Sequence, residues 1–218
     1  MRFGSLARAI VAALVVSSIA SVARATTVFF DDFDTGDTYD STTGVFVHWI
    51  NDYQSLGLGT SDQDVAMPFT VSGTGYDSYK FELGLTLDYG DNEIDISVAN
   101  DNAGEPGTVL QTWHVSGALP SYPGAGAPIT VYATSLTLTD GAQYWVFVSA
   151  SGPNDSQVVW NRNTVGYTGL TAGWHEFWGN PGFWVTNTYG AATMRVTGQT
   201  RAVAASTNSW GAVKALFH

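Results

Sequence analysis

Between Tyr79 and Val115 the chain alternates apolar and polar residues so regularly that few folds remain open to it. Phe81, Leu83, Leu85, Leu87 and Tyr89 occupy every second position, with Glu82, Gly84, Thr86 and Asp88 between them. Successive side chains of a strand point to opposite faces, so this is the pattern of a half-buried strand. Gly90, Asp91 and Asn92 supply a turn, after which Ile94, Ile96 and Val98 alternate with Asp95, Ser97 and Ala99. The spacing predicts that the two runs pair as an antiparallel hairpin. Residues 100–107, rich in Asn, Gly and Pro, form a loop before a third run, Thr108 to Val115, that rejoins the sheet.

Short β-prone runs recur on both sides of this segment: Thr27–Phe30, Val45–Ile50, Ala66–Val71, Ile129–Leu138, Tyr144–Ala150, Val158–Asn161 and Ala191–Thr197. Pro68 cannot donate to a ladder, which predicts an edge or a bulge there. Tyr144–Ala150 is apolar on both faces, as expected of a central strand covered on both sides. A Gly/Pro-rich connection from Gly117 to Ala127 is long enough to carry the chain between sheets, and Asp140-Gly141 marks a tight turn. Helical periodicity is confined to Trp210, Val213 and Phe217. The sequence therefore predicts an all-β domain over 26–198, an antiparallel β-sandwich, jelly-roll-like in its long connection. Its expected core is Phe81, Leu83, Leu85, Ile94, Ile96, Val98, Trp113, Tyr144, Val146, Val148, Met194 and Val196. The tail from 199 to 218 is expected to be weakly ordered, its small polar residues burying too little to offset ordering costs.

Residues 1–25 read as a signal peptide: Arg2 and Arg8, an apolar run from Ile10 to Ala20, then Ala23-Arg24-Ala25. That run is shorter than the ~20 residues a bilayer span needs, so export with cleavage and a mature chain without a membrane span are expected. Beyond residue 25 the only bases are Lys80, Arg162, Arg195, Arg201 and Lys214, scattered among 19 acidic residues. Nucleic acid, a polyanion, is excluded as a partner on that balance. No cysteine is present, so neither disulfides nor thiolate chemistry contribute.

Two stretches are candidates for function. Asp31, Asp32, Asp34, Asp37 and Asp40 crowd around Gly36; hard cations gather oxygen ligands in such loops, and calcium is expected on Asp32, Asp34 and Asp37. From Gly166 to Val185, aromatic residues sit among glycines at a spacing that fits neither strand nor helix. Sugar faces stack on aromatic rings, so Tyr167, Trp174, Trp178 and Trp184 are the candidate ligand-binding residues. Trp174 and Trp178, flanking His175 and Glu176, are the pair expected to be exposed. The competing reading is that these rings cap an open end of the sandwich. The acidic turns at Asp88–Glu93 and Asn100–Glu105 read as locally hydrogen-bonded turns, with calcium ligation as the alternative. No Gly-x-Ser-x-Gly elbow, His-Glu-x-x-His helix or phosphate loop occurs, and no spacing singles out two carboxylates for glycosidase chemistry. The expectation is a non-catalytic protein.

Several segments taken together carry a family resemblance: Phe30-Asp31-Asp32-Phe33, Tyr79–Leu83, Ile96–Leu110, Leu136–Val146, Val159–Asn161 and Met194–Gly198. Over residues 28–198 the chain resembles the bacterial choice-of-anchor proteins, type R. The resemblance implies a secreted β domain at the cell surface or outside the cell, with no active site to carry over. It also implies a C-terminal sorting signal, whereas the residues after Gly198 hold no Pro-Glu-Pro and no apolar span, so release is expected. The functional expectations are binding of extracellular polysaccharide or cell-surface glycan, or alternatively a purely structural role in an extracellular matrix.

Overall fold

The computed structural model describes residues 25–200 apart from 51–60, 125, 152–153, 170, 178–181 and 188–190, with the backbone alone at 171–172, 174–177 and 187. The expected signal segment through Arg24 and the tail from Arg201 lie outside the described residues. Strands run in the order β1 (Thr26–Asp31), β2 (Asp40–Ile50), β3 (Ser61–Thr70), β4 (Tyr76–Leu83), β5 (Leu85–Tyr89), β6 (Glu93–Asp101) and β7 (Pro106–Ser116). They continue through β8 (Ile129–Ala133), β9 (Gln143–Ala150), β10 (Ser156–Arg162), β11 (Thr171–Phe177), β12 (Phe183–Asn187) and β13 (Met194–Thr200). Among the described residues there is no helix, and so none long and apolar enough to cross a membrane.

A four-stranded sheet, β1-β13-β4-β8, packs on a larger one, β5-β10-β2-β3-β9-β6-β7, from whose β3 the hairpin β11–β12 branches. Every ladder is antiparallel, and one apolar core draws side chains from both sheets. This is the β-sandwich that the alternation predicts. The expected core residues are all buried except Trp113. That ring is partly buried, 5.4 Å from Phe81, with its Nε1 donating to the Tyr132 carbonyl at 3.0 Å.

The long alternating run folds differently from the expectation. It is two strands that belong to different sheets: β4 pairs with β13 and β8, while β5 pairs with β10. The chain changes sheet at Gly84, whose N–H donates to the Thr193 carbonyl at 3.0 Å and whose carbonyl accepts from the Asn161 N–H at 2.8 Å. A side chain at this corner would stand 3.0 Å from the Tyr39 ring. Leu83 and Leu85 both remain fully buried because the run faces the same core from either side of the corner. The expected hairpin between this run and β6 is therefore absent; β6 pairs with β7 and β9.

Other expectations hold in detail. β9 lies inside the large sheet between β3 and β6. Pro68 pairs with Trp145 at a point where, among the described residues, β3 has a strand partner on one flank alone. The Gly117–Ala127 connection joins β7 of one sheet to β8 of the other. On the way it covers the edge of β5, where Pro120 accepts from the Leu87 N–H and the Leu87 carbonyl accepts from the Tyr122 N–H, both at 2.7 Å. Covering an exposed edge removes a template for aggregation. The final strand extends beyond the expected boundary at 198, with Gln199 paired to Thr26 and the Thr200 N–H donating to the Ala25 carbonyl.

Candidate functional site: an open cleft on the outer face of the large sheet

On β3 the odd positions Val65, Met67 and Phe69 enter the core, so Asp62 and Asp64 belong to the other face. Registers across the sheet place His114 beside Asp95 and Asp95 beside Ser149. On the other flank of β3, Asp64 faces Trp174 of β11, which in turn faces Trp184 of β12. The outer face of the large sheet is thus a polar, acidic surface with an aromatic hairpin beside it. There a cleft of about 730 Å³ is lined by Asp64, Asn100, Asn102, Glu105, Pro106, Gly107, Thr108, Phe147 and Trp184. That volume falls within the range typical of small-ligand sites.

Each wall has a local cause. The turn from Asp101 to Pro106 is tied down by Asp101, whose Oδ1 accepts from Trp145 Nε1 and Gln143 Nε2, both at 2.8 Å, and whose Oδ2 accepts from the Gly104 N–H. Burial works to raise the Asp101 carboxyl, but these hydrogen bonds outweigh it and hold the group below its ordinary range. Gly107 lets the returning strand approach closely, since a Cβ there would meet Asn100 Oδ1 at 2.6 Å. Opposite, Phe147 leaves the apolar second face of β9 and meets Trp184 edge-on, with ring centroids 6.0 Å apart. Beneath them Trp145 is fully buried.

Asp64 differs chemically from its neighbours. One carboxylate oxygen is shielded from solvent without a hydrogen-bond donor, and a bond from Ser149 engages the carboxyl. Burial first, then the charges of Asp62 and Asp95, push it up to about 7 against the Ser149 bond.

The described side chains do not place Tyr167 and Trp184, the two of the four expected aromatic residues they include, at one site. Tyr167 is exposed and packs edge-on against Phe30 of β1, 5.4 Å away, in the small sheet's region. Of these two, Trp184 lines the cleft. Trp174 is placed by its backbone opposite Asp64, its side chain is outside the described atoms, and Trp178 lies outside the described residues. The stretch whose spacing fits no period contains a hairpin, β11–β12.

Nor are Asp32, Asp34 and Asp37 gathered around one point. Asp32 is 3 % exposed, accepts the Met194 N–H at 2.7 Å, and is pushed up to about 7 by burial, with the Asp31 charge adding to it and the Met194 bond opposing it. Asp34 accepts the Thr35 N–H and the Thr164 hydroxyl, which hold its carboxyl low. Asp37 accepts Arg195 Nη2 at 2.7 Å, while Asp31 accepts Arg195 Nε at the same distance. The same guanidinium lies 3.7 Å from Glu82 and over the Phe33 ring. Among the described residues no group of three His, Asp or Glu side chains has metal-site geometry. The loop's counter-ion is an arginine delivered by β13.

The sequence reads Asn100 and Asn102 as part of a hydrogen-bonded turn, with calcium ligation as the alternative, and does not single out Asp64 and Phe147. Two signals point to them: carboxylates on the non-core face of a central strand, and a second apolar face on β9 that needs a cover. Comparison with family models, with curated proteins and with solved structures returned no match.

Proposed function

We propose that this chain is an exported, non-catalytic glycan-binding sandwich of the choice-of-anchor kind, and that the cleft is its binding site. The observation that supports this is the pairing, in one open cleft, of the Trp184 and Phe147 rings with the side chains of Asp64, Asn100, Asn102, Glu105 and Thr108. Aromatic faces take up the C–H surface of a sugar, while amides and carboxylates bond its hydroxyls in both donor and acceptor roles. Such a wall needs no titrating nucleophile. The rival reading, a structural matrix protein, draws on the Trp184–Phe147 contact and the buried Trp145, which also fit a hairpin that caps the sheet.

Calorimetric titration of the protein with a panel of soluble oligosaccharides separates the two. Binding reduced at least about tenfold by Trp184→Ala, about 1.4 kcal/mol, with an unchanged urea midpoint, is the expected result. No binding to any glycan, together with a Trp184→Ala variant that loses stability, overturns the reading in favour of a structural cap.

A further inference from the structure

We infer that the cleft selects saccharides that carry free amino groups, Asp64 and Glu105 meeting the ammonium while Trp184 and Phe147 hold the sugar ring; this rests on the glycan-binding reading above. The lining contains two carboxylates and, among the described residues, no lysine, arginine or histidine. Asp62 on the same strand and Asp95 on β6 add to the negative potential around Asp64. On β7 the one titratable side chain near this row, His114, is engaged with Asp95 at 2.9 Å. β9 contributes Ser149, a hydroxyl, and β11 sets the backbone of Trp174 opposite Asp64. Among the described residues that line the cleft, no base offsets the charge of Asp64 and Glu105.

The Asp64 carboxyl lines the cleft. An ammonium group bound there supplies both hydrogen-bond donors and the opposite charge. The face of an indole attracts a cation as well. A uronic acid in the same place would add a third carboxylate beside Asp64 and Glu105 and be rejected by like-charge repulsion. Because burial and neighbouring charge push the Asp64 carboxyl up to about 7, the free protein holds a proton there below neutrality. An ammonium favours the ionised form, so binding releases that proton. Affinity for an amino sugar is therefore greatest near neutral pH, falling on the acid side as Asp64 is protonated and on the alkaline side as the sugar amine loses its charge.

The test uses the full chain and four matched tetrasaccharides, of glucosamine, N-acetylglucosamine, glucose and galacturonate, titrated calorimetrically across pH at low and physiological salt. The glucosamine tetramer is expected to bind about tenfold or more tighter than the glucose tetramer, with a pH optimum near neutrality, and galacturonate to bind weakest. Asp64→Asn should collapse the glucosamine-to-glucose affinity ratio toward one. Glu105→Gln, in a loop outside the core, should lower the same ratio independently of any folding defect in the first variant. Trp184→Ala should weaken every tetramer that binds.

A glucosamine tetramer bound no tighter than the glucose tetramer, or a ratio that survives both carboxylate variants, overturns the amino-sugar inference and leaves the glycan reading standing. A preference that persists in Trp184→Ala and vanishes at physiological salt reflects general attraction to an acidic surface and overturns the inference too. If no tetramer binds at all, the glycan reading itself fails.

Discussion

The molecule holds two acidic regions that look alike in sequence and behave oppositely in the fold. In the loop from Asp31 to Asp40, the outward carboxylates have internal partners: Arg195 for Asp31 and Asp37, Thr35 and Thr164 for Asp34, and Thr42 and Thr43 for Asp40. The two threonines hold Asp40 down to about 2. Around the cleft, Asp64 has company of its own sign and a carboxylate oxygen without a donor. Carboxylate density along the chain is therefore a poor guide to where a ligand is held. What decides is whether the fold delivers a base or hydroxyls to the cluster, and Arg195 arrives from a strand 158 residues away from Asp37.

Asp32 is the exception inside the neutralised loop, and it gives the largest expected effect. Its carboxyl is raised from 3.8 to about 7 by burial, so the folded state holds a proton that the unfolded chain has released over that interval. Its stabilising contribution is complete below about pH 4, declines as pH rises, and is gone above about 7. At ~1.36 kcal/mol per unit, the whole change is up to about 4 kcal/mol. Asp32→Asn keeps an acceptor for the Met194 N–H and removes the titration. Urea midpoints should show the variant gaining on the parent as pH climbs from 4 to 7, with a constant difference above that. A difference independent of pH would mean Asp32 is ionised in the fold. Asp64→Asn should gain in the same direction and by a similar amount, since burial and like charge push its carboxyl up to about 7 as well.

Removing the counter-ion breaks the comparison from the other side. Arg195→Met leaves Asp31, Asp37 and Glu82 facing one another, with Lys80 at 2.8 Å from Glu82 as the remaining base. Fully buried pairs cost about 3–5 kcal/mol when one partner is removed and exposed pairs about 0–1. The Arg195 side chain is 19 % exposed while that of Asp37 is 49 % exposed, so a loss of about 1–3 kcal/mol is expected by chemical denaturation, smaller at high salt. A neutral substitution would show the network to be surface decoration. The loop would then resemble the cleft after all.

These regions also show what was legible beforehand. Alternation located most of the core correctly, because burial of Phe81, Ile96, Val148 and Val196 depends on face periodicity alone. It could not show that the run through Leu83 and Leu85 changes sheet, since both residues face one core and the break at Gly84 leaves the period intact. The β11–β12 hairpin escaped because it lies off the main path of the sheet, branching from β3. Trp184 was within reach as an aromatic residue among glycines. Asp64 was not, because its pairing with Trp174 and its place in the cleft are tertiary facts, as is the pairing of Arg195 with the acidic loop.

The smallest expected effect concerns calcium. A cation that binds only the folded loop would stabilise by RT ln(1 + [L]/Kd), about 2.7 kcal/mol at a hundredfold excess over Kd. Extracellular modules bind calcium at about 10⁻⁴–10⁻³ M, so millimolar concentrations would reveal such a site. In this fold Asp32 is turned inward, Asp34 is satisfied by hydroxyl and amide donors, and Asp37 is held by Arg195. To gather them, calcium would have to displace a guanidinium from two short ion pairs and draw out a buried carboxyl. Thermal midpoints in millimolar calcium and in sodium chloride of matched ionic strength are therefore expected to coincide, with only general screening in both. A calcium-specific rise that grows in Arg195→Met would reverse this. It would show that metal and arginine compete for the same carboxylates, and that the loop retains a cation-binding capacity which the arginine masks.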